Sequence, residues 1–162
     1  MEAKTTTGLE AAGKLGLEQQ VYLELLRVAD SLVQDAENIL KPLGLSHTQY
    51  NALRILRGAE PTGLACSGIG ERMLTHDPDI TRLLDRLESR GLIKREREQE
   101  DRRVVRTRIT EAGLKLLAEL DGPVCELHQK QLGHLQPGQL EELKHLLSLM
   151  RAQGTQNCPS KG

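Results

Sequence analysis

Arg82, Asp85 and Arg86, with Asp79 and Thr81 beside them, recur at three- and four-residue spacing, which gathers them on one face of a helix. The chemistry they offer is recognition, not bond making. An arginine guanidinium can fork onto O6 and N7 of guanine, and a threonine can meet a thymine methyl or a phosphate oxygen. Asp77 and Asp79 would repel phosphate unless they meet a cytosine amino group or pair with Arg82. The plainer alternative leaves Arg82 and Arg86 in intrahelical pairs with Asp79, Asp85 or Glu88 on a solvated face.

A second cluster follows closely. Residues 92–97 and 104–109 alternate apolar or half-buried positions with charged ones, the pattern of a hairpin with one face on a core. Its tip, Glu98-Gln99-Glu100-Asp101-Arg102-Arg103, mixes acids with arginines. A carboxylate two residues before Arg103 can hold that guanidinium extended for a narrow, electronegative minor groove. The alternative is a solvated turn with a surface ion pair.

These side chains need elements to place them. Ile80, Leu83, Leu84 and Leu87 follow i, i+3, i+4, i+7 and anchor the opposite helix face, so the arginines point outward. Asp77 reads as the N-cap and Pro78 as the first helical residue, with Gly91 ending the helix. Before it, a weak third helix is expected over residues 67–74, carrying Ile69, Met73 and Leu74 inward despite Gly68 and Gly70. Two short helices joined by a tight turn and followed by a hairpin describe a winged helix-turn-helix with a two-stranded wing.

Longer helices flank this lobe. Apolar residues recur from Leu17 through Leu40 until Lys41-Pro42, and Ser46 with Gln49 forms a capping box for a second helix ending near Gly58. Thr110 caps a fifth helix through Leu132, with a kink or break expected at Gly122-Pro123, and Pro137 opens a sixth through Met150. The fold class is mainly α. The terminal helices carry more apolar surface than so small a lobe can cover, and a second chain could supply the cover.

Charge and composition narrow the function. The net charge of −1 hides an uneven distribution: residues 82–108 carry ten Lys or Arg against six Asp or Glu, leaving −5 on the rest. With no Trp or Phe, and Tyr22 and Tyr50 alone as aromatics, the core must be aliphatic. Cys66, Cys125 and Cys158 are scattered, and His47, His76, His128, His134 and His145 show no metal-ligand spacing, so neither a disulfide framework nor a metal site is expected. Cys125, on a leucine-rich helix, reads as a small buried hydrophobe. No phosphate-binding glycine loop or activated nucleophile is present, so no enzyme and no cofactor are expected. The lack of a leader-like or 18-residue apolar run predicts a soluble, cytoplasmic protein with no membrane partner.

The stretch Thr81-Arg82-Leu83-Leu84-Asp85-Arg86-Leu87-Glu88, then Arg90-Gly91-Leu92-Ile93, resembles the recognition-helix region of the multiple-antibiotic-resistance regulator (MarR) family. The wing agrees, because Asp101-Arg102-Arg103 followed by Ile109-Thr110 and Gly113 is similar to that family's Asp-x-Arg to Leu-Thr-x-x-Gly pattern. The resemblance spans about residues 17–151. It implies a homodimeric transcriptional regulator on a pseudo-palindromic double-stranded operator, expected to act as a repressor because binding at a promoter can block polymerase. It further implies that Pro78, Asp79, Thr81, Arg82 and Arg86 face the major groove, that Asp101 orients Arg103, and that Arg102 lies with them in the wing.

On the same footing, residues 17–44 and 111–151 form a helical dimerisation region around a winged lobe at 45–110, with tails at 1–16 and 152–162. A small aromatic or phenolic effector is implied between dimer core and lobe, where Tyr22, His47, Tyr50 and Arg54 are candidates to line the site; the other reading makes them core or surface residues without a ligand. Redox sensing at Cys66 or Cys125 is disfavoured, since neither lies on the first helix, where the resemblance puts such a position. The competing functional reading is a winged-helix protein-interaction module that does not bind DNA.

Overall fold

The structure, a computed structural model, describes residues 16–74, 79–97 and 104–156. Helix α1 (Leu17–Leu40) spans 24 residues, about 36 Å at the α-helical rise, and a 3-10 turn, Lys41–Leu43, ends it where Pro42 was expected to. Gly44 closes the elbow in the left-handed region at φ 66°, donating its N–H to the Lys41 carbonyl, while the Leu45 N–H reaches back to the Leu40 carbonyl. Helix α2 (His47–Gly58) begins at the expected capping box: Ser46 Oγ accepts from Gln49 N and Gln49 Oε1 accepts from Ser46 N.

Between α2 and the next helix lies a strand that the sequence did not suggest. β1 (Leu64–Ala65) is two residues long and pairs antiparallel with β3 (Val105–Ile109), which also pairs with β2 (Ile93–Arg97), giving sheet order β1-β3-β2. The expected two-stranded wing is therefore the outer part of a three-stranded sheet. Its registers set Leu64 against Thr107 and Ile93 against Ile109.

Helix α3 (Cys66–Gly70) is shorter than expected, because Gly68 and Gly70 leave little helix propensity; beyond it the Arg72 and Met73 N–H groups both bond back to the Ile69 carbonyl without continuing the helix. Ile69 is buried and Met73 half-buried, but Leu74, read as inward, is exposed. Helix α4 (Ile80–Ser89) starts two residues later than the capping motif implied. Asp79, not Asp77, is the N-cap, accepting from Arg82 N at 3.1 Å, and Asp77 and Pro78 lie outside the described residues.

Helix α5 (Glu111–Leu132) opens at Thr110, whose hydroxyl accepts from Gly113 N and donates to the Gly91 carbonyl at 2.6 Å. Gly113 is required there, since a Cβ would collide with the Leu92 carbonyl and Ile109. Of the kink or break expected at Gly122-Pro123, the break does not occur: α5 runs through it with Pro123 inside. Pro123 gives up the bond to the Glu119 carbonyl, but residue 119 is exposed and water can meet that oxygen. Helix α6 (Pro137–Gln156) extends five residues past the end expected at 151.

The core lies in the lobe and in the first half of α5, which packs on it. Leu53, Leu56, Ile69, Leu84, Leu87, Ile93, Leu117 and Leu120 are almost fully buried, joined by Leu40 and Leu45 from the elbow. By contrast Leu17, Val21, Tyr22, Leu26 and Val28 of α1, and Leu143, Leu146, Leu147, Leu149 and Met150 of α6, are exposed.

Candidate nucleic-acid interface

Leu83, Leu84 and Leu87 bury one side of α4, with Ile80 packed against the core, so the other side is turned outward as the spacing required. Thr81, Arg82, Asp85 and Arg86 are exposed there. The acids among them are not bare. Asp79 caps the helix and pairs with Arg82 Nε at 3.0 Å, which leaves the Nη edge of the guanidinium to fork onto a base. Both readings of Arg82 thus hold at once: it has an intrahelical partner and stays 77% exposed.

The other acids of the helix turn toward the wing. Arg95 of β2 donates from Nε to Glu88 Oε2 at 2.8 Å, from Nη2 to Glu88 and to Asp85 Oδ1, and from its backbone N–H to Glu88 Oε1 at 3.0 Å. These bonds, the Arg95 hydrogen bond foremost, hold the Glu88 carboxyl below the usual glutamate range and raise the Arg95 guanidinium in turn, against partial desolvation. The helix and the strand are thereby clamped together. Sequence reasoning missed Arg95 as a functional position; its alternation marked it as inward-facing, but a partner seven to ten residues away was not readable.

The paired strands reach Arg97 opposite Val105. Asp101, Arg102 and Arg103, expected at the tip, lie outside the described residues, as does Pro78. On the outer sheet face Lys94 pairs with Glu96 at 2.9 Å, lowering the Glu96 pKa through that hydrogen bond, and Arg106 and Arg108 stand half-buried beside them.

Behind the lobe, α2 and α5 enclose a hollow of about 460 Å³ lined by Tyr50, Arg54, Asp121, Val124, Cys125, His128, Gln129, Leu132, Gly133 and Leu140. A neighbouring hollow of about 360 Å³ is lined by His47, Tyr50, Asn51, Arg54, Ile55, Leu74 and His128. Three of the four suspected ligand residues, His47, Tyr50 and Arg54, meet here, with the Arg54 guanidinium 5.9 Å from the Tyr50 ring centroid, within cation–π range. Tyr22 lies exposed on α1 and lines neither hollow.

Asp121, Cys125 and His128 were not anticipated at this crevice, although their spacing of four and three along α5 places them on one helix face. Cys125 is exposed, not buried as expected, because it faces the hollow and not the leucine stripe of Leu117, Leu120 and Val124. At the rim, Arg57 donates from Nη1 and Nη2 to both oxygens of Asp121 at 2.8 and 2.9 Å. That hydrogen bond depresses the Asp121 pKa and raises that of Arg57. Among the described residues no cluster of three or more His, Cys, Asp or Glu could hold a metal ion, and no helix is long and apolar enough to cross a membrane.

A winged lobe of this geometry has known counterparts. The MarR family model matches residues 45–105, from just before α2 to the start of β3. The organic hydroperoxide resistance transcriptional regulator of Bacillus subtilis (strain 168) is 31% identical over 137 residues, covering 83% of this chain and 86% of the relative. The chain belongs to the MarR family. The HTH-type transcriptional repressor IacR of Pseudomonas putida is 29% identical over 140 residues, 86% of this chain and 83% of that one. The crystal structure of a MarR transcription factor from Planctomyces limnophilus is 46% identical, covers 84% of this chain and 98% of its own, and superposes with a TM-score of 0.64. As a MarR-family member the chain is a DNA-binding transcriptional regulator, and its relatives are regulators, not enzymes.

Proposed function

We propose that the chain acts in the cytoplasm as a homodimeric, sequence-specific repressor that binds a pseudo-palindromic operator and is released by a small aromatic or phenolic ligand. One observation carries the reading: Arg82 and Arg86 stand exposed on α4 while the acids around them are held by arginines, Asp79 by Arg82 and Asp85 and Glu88 by Arg95. Such a face presents guanidinium donors to a groove with its carboxylates already answered. Residues 45–110 would form the DNA-binding domain, with Pro78, Asp79, Thr81, Arg82 and Arg86 toward the major groove and Arg103, aimed by Asp101 and flanked by Arg102, toward the minor groove.

Dimerisation through residues 17–44 and 111–151 is supported by the apolar side chains exposed along α1 and α6. Two-fold symmetry then sets half-sites about 34 Å apart. Repression is supported by the relative named a repressor. The ligand reading is supported by the crevice: mostly apolar walls, with one phenol and one guanidinium to orient a ring and its oxygen.

Fluorescence anisotropy with duplexes selected from a random pool tests the whole. Affinity should fall steeply as salt rises, and Arg103→Ala should weaken binding strongly while the dimer stays folded. Flat salt dependence would favour the protein-interaction module instead.

A further inference from the structure

The residue that caps the C-terminus of the reading helix reaches across the lobe to the base of the first helix. Arg90, the C-cap of α4, donates from Nη1 to the Gly44 carbonyl at 2.6 Å and from Nη2 to the Leu43 carbonyl at 2.8 Å. Those two oxygens belong to the elbow where α1 has ended and α2 has not begun. Gly44 sits between them in the left-handed conformation, and a Cβ added there would lie 3.6 Å from the Arg90 guanidinium. A planar fork suits two adjacent carbonyls, and a cation is favoured at helix C-termini, of which two converge here.

We propose that Arg90 is a positioning residue that sets the half-site spacing the dimer accepts. The inference rests on the dimer-on-operator reading above. In a two-fold dimer the distance between reading helices follows from the angle between each α1 and its own lobe, and the elbow is where that angle is made. Helix α4 has ten residues, about 15 Å, so a 10° swing about its elbow end displaces the reading end by about 2.6 Å. One base-pair step is about 3.4 Å with a turn of about 34°. A fork that suppresses such swings converts a tolerance of one step into a preference for one spacing.

Arg90 is exposed, so water can take both carbonyls when it is removed, and folding does not depend on it. The effect therefore falls on orientation.

The test uses the full-length protein and a duplex that the wild type recovers from a random-sequence pool, resynthesised with one base pair inserted or deleted at its centre. Wild type should prefer the original spacing by about tenfold or more, Arg90→Ala by about threefold or less, and Arg90→Lys, which keeps the charge without the fork, should fall between. Melting temperature and dimer mass should stay as in wild type. An Arg90→Ala protein that loses affinity by the same factor at every spacing, its preference intact, would overturn the proposal. Recovery of no duplex with two half-sites would sink the dimer-on-operator reading itself, and this inference with it.

Discussion

The winged lobe and the terminal helices solve the burial of apolar surface in opposite ways. In the lobe, Leu53, Leu56, Ile69, Leu84 and Leu87 are covered by neighbours from the same chain, and the polar periphery is cross-tied by Arg95 and Arg90. Along α1 and α6 equally large side chains, Leu26 and Leu146 among them, remain about half exposed. The lobe closes its apolar core within the chain, whereas the terminal helices leave an apolar face uncovered, the face proposed above for a second copy. Each half can be attacked separately.

The largest effect should come from spoiling the uncovered face. Replacing Leu146 and Leu147 by Asp is expected to give monomers by sedimentation and to lower affinity for a two-half-site duplex by roughly 10²-fold or more, since bivalent engagement is lost. A dimer that survives both changes would move the interface elsewhere. Next in size, Leu53→Ala inside the lobe should cost about 2–5 kcal/mol in denaturant unfolding. A much smaller cost would mean that the lobe, too, leans on a partner.

Arg86→Ala should then cost about 1–3 kcal/mol on the selected duplex and relax preference at one base position, read by competition among single-base variants. Equal losses on all sequences would mark a phosphate contact. Smaller still is a pH effect. The Glu88 carboxyl has its folded pKa lowered by Arg95, so its contribution is present above the unfolded value, about 4.3, and disappears as pH falls through the lowered one. Glu88→Gln should thus be less stable than wild type near pH 7, with the gap closing below about pH 4; a gap constant from pH 7 to 3 would rule the pair out as its source. Arg57→Ala, at a pair that is 33% and 50% exposed, should change stability by no more than about 1 kcal/mol.

Periodicity and caps made most of the lobe and both terminal helices legible, because Ser46, Thr110 and Pro137 mark local events that a few residues decide. Where two local signals overlapped, the choice failed. Asp77-Pro78 and Asp79 each look like a helix start, and only the packing of Ile80 and Leu83 selects the later one. β1 went unseen because two residues show no alternation, and its strand character comes from β3 alongside. Arg57, Arg90 and Arg95 were invisible as ties for a related reason: their partners stand 64, 46 or 47, and seven or ten residues away, and a charge does not name its counterpart. Cys125 was misread because α5 has a second face, and the leucine stripe does not reveal what the far side meets.

The bonds from Arg95 to Glu88 and Asp85 bear on any attempt to re-target the protein. In the proposed complex the helix and the wing take separate grooves, and a designer would be tempted to transplant residues 80–89 alone. A foreign helix without an acid at 85 or 88 would leave Arg95 without those partners, and a foreign wing without an arginine at 95 would leave Asp85 and Glu88 without theirs. The smallest transferable unit therefore runs from the N-cap at Asp79 through the end of β3, and new sequence preferences will have to be imported as that whole cassette.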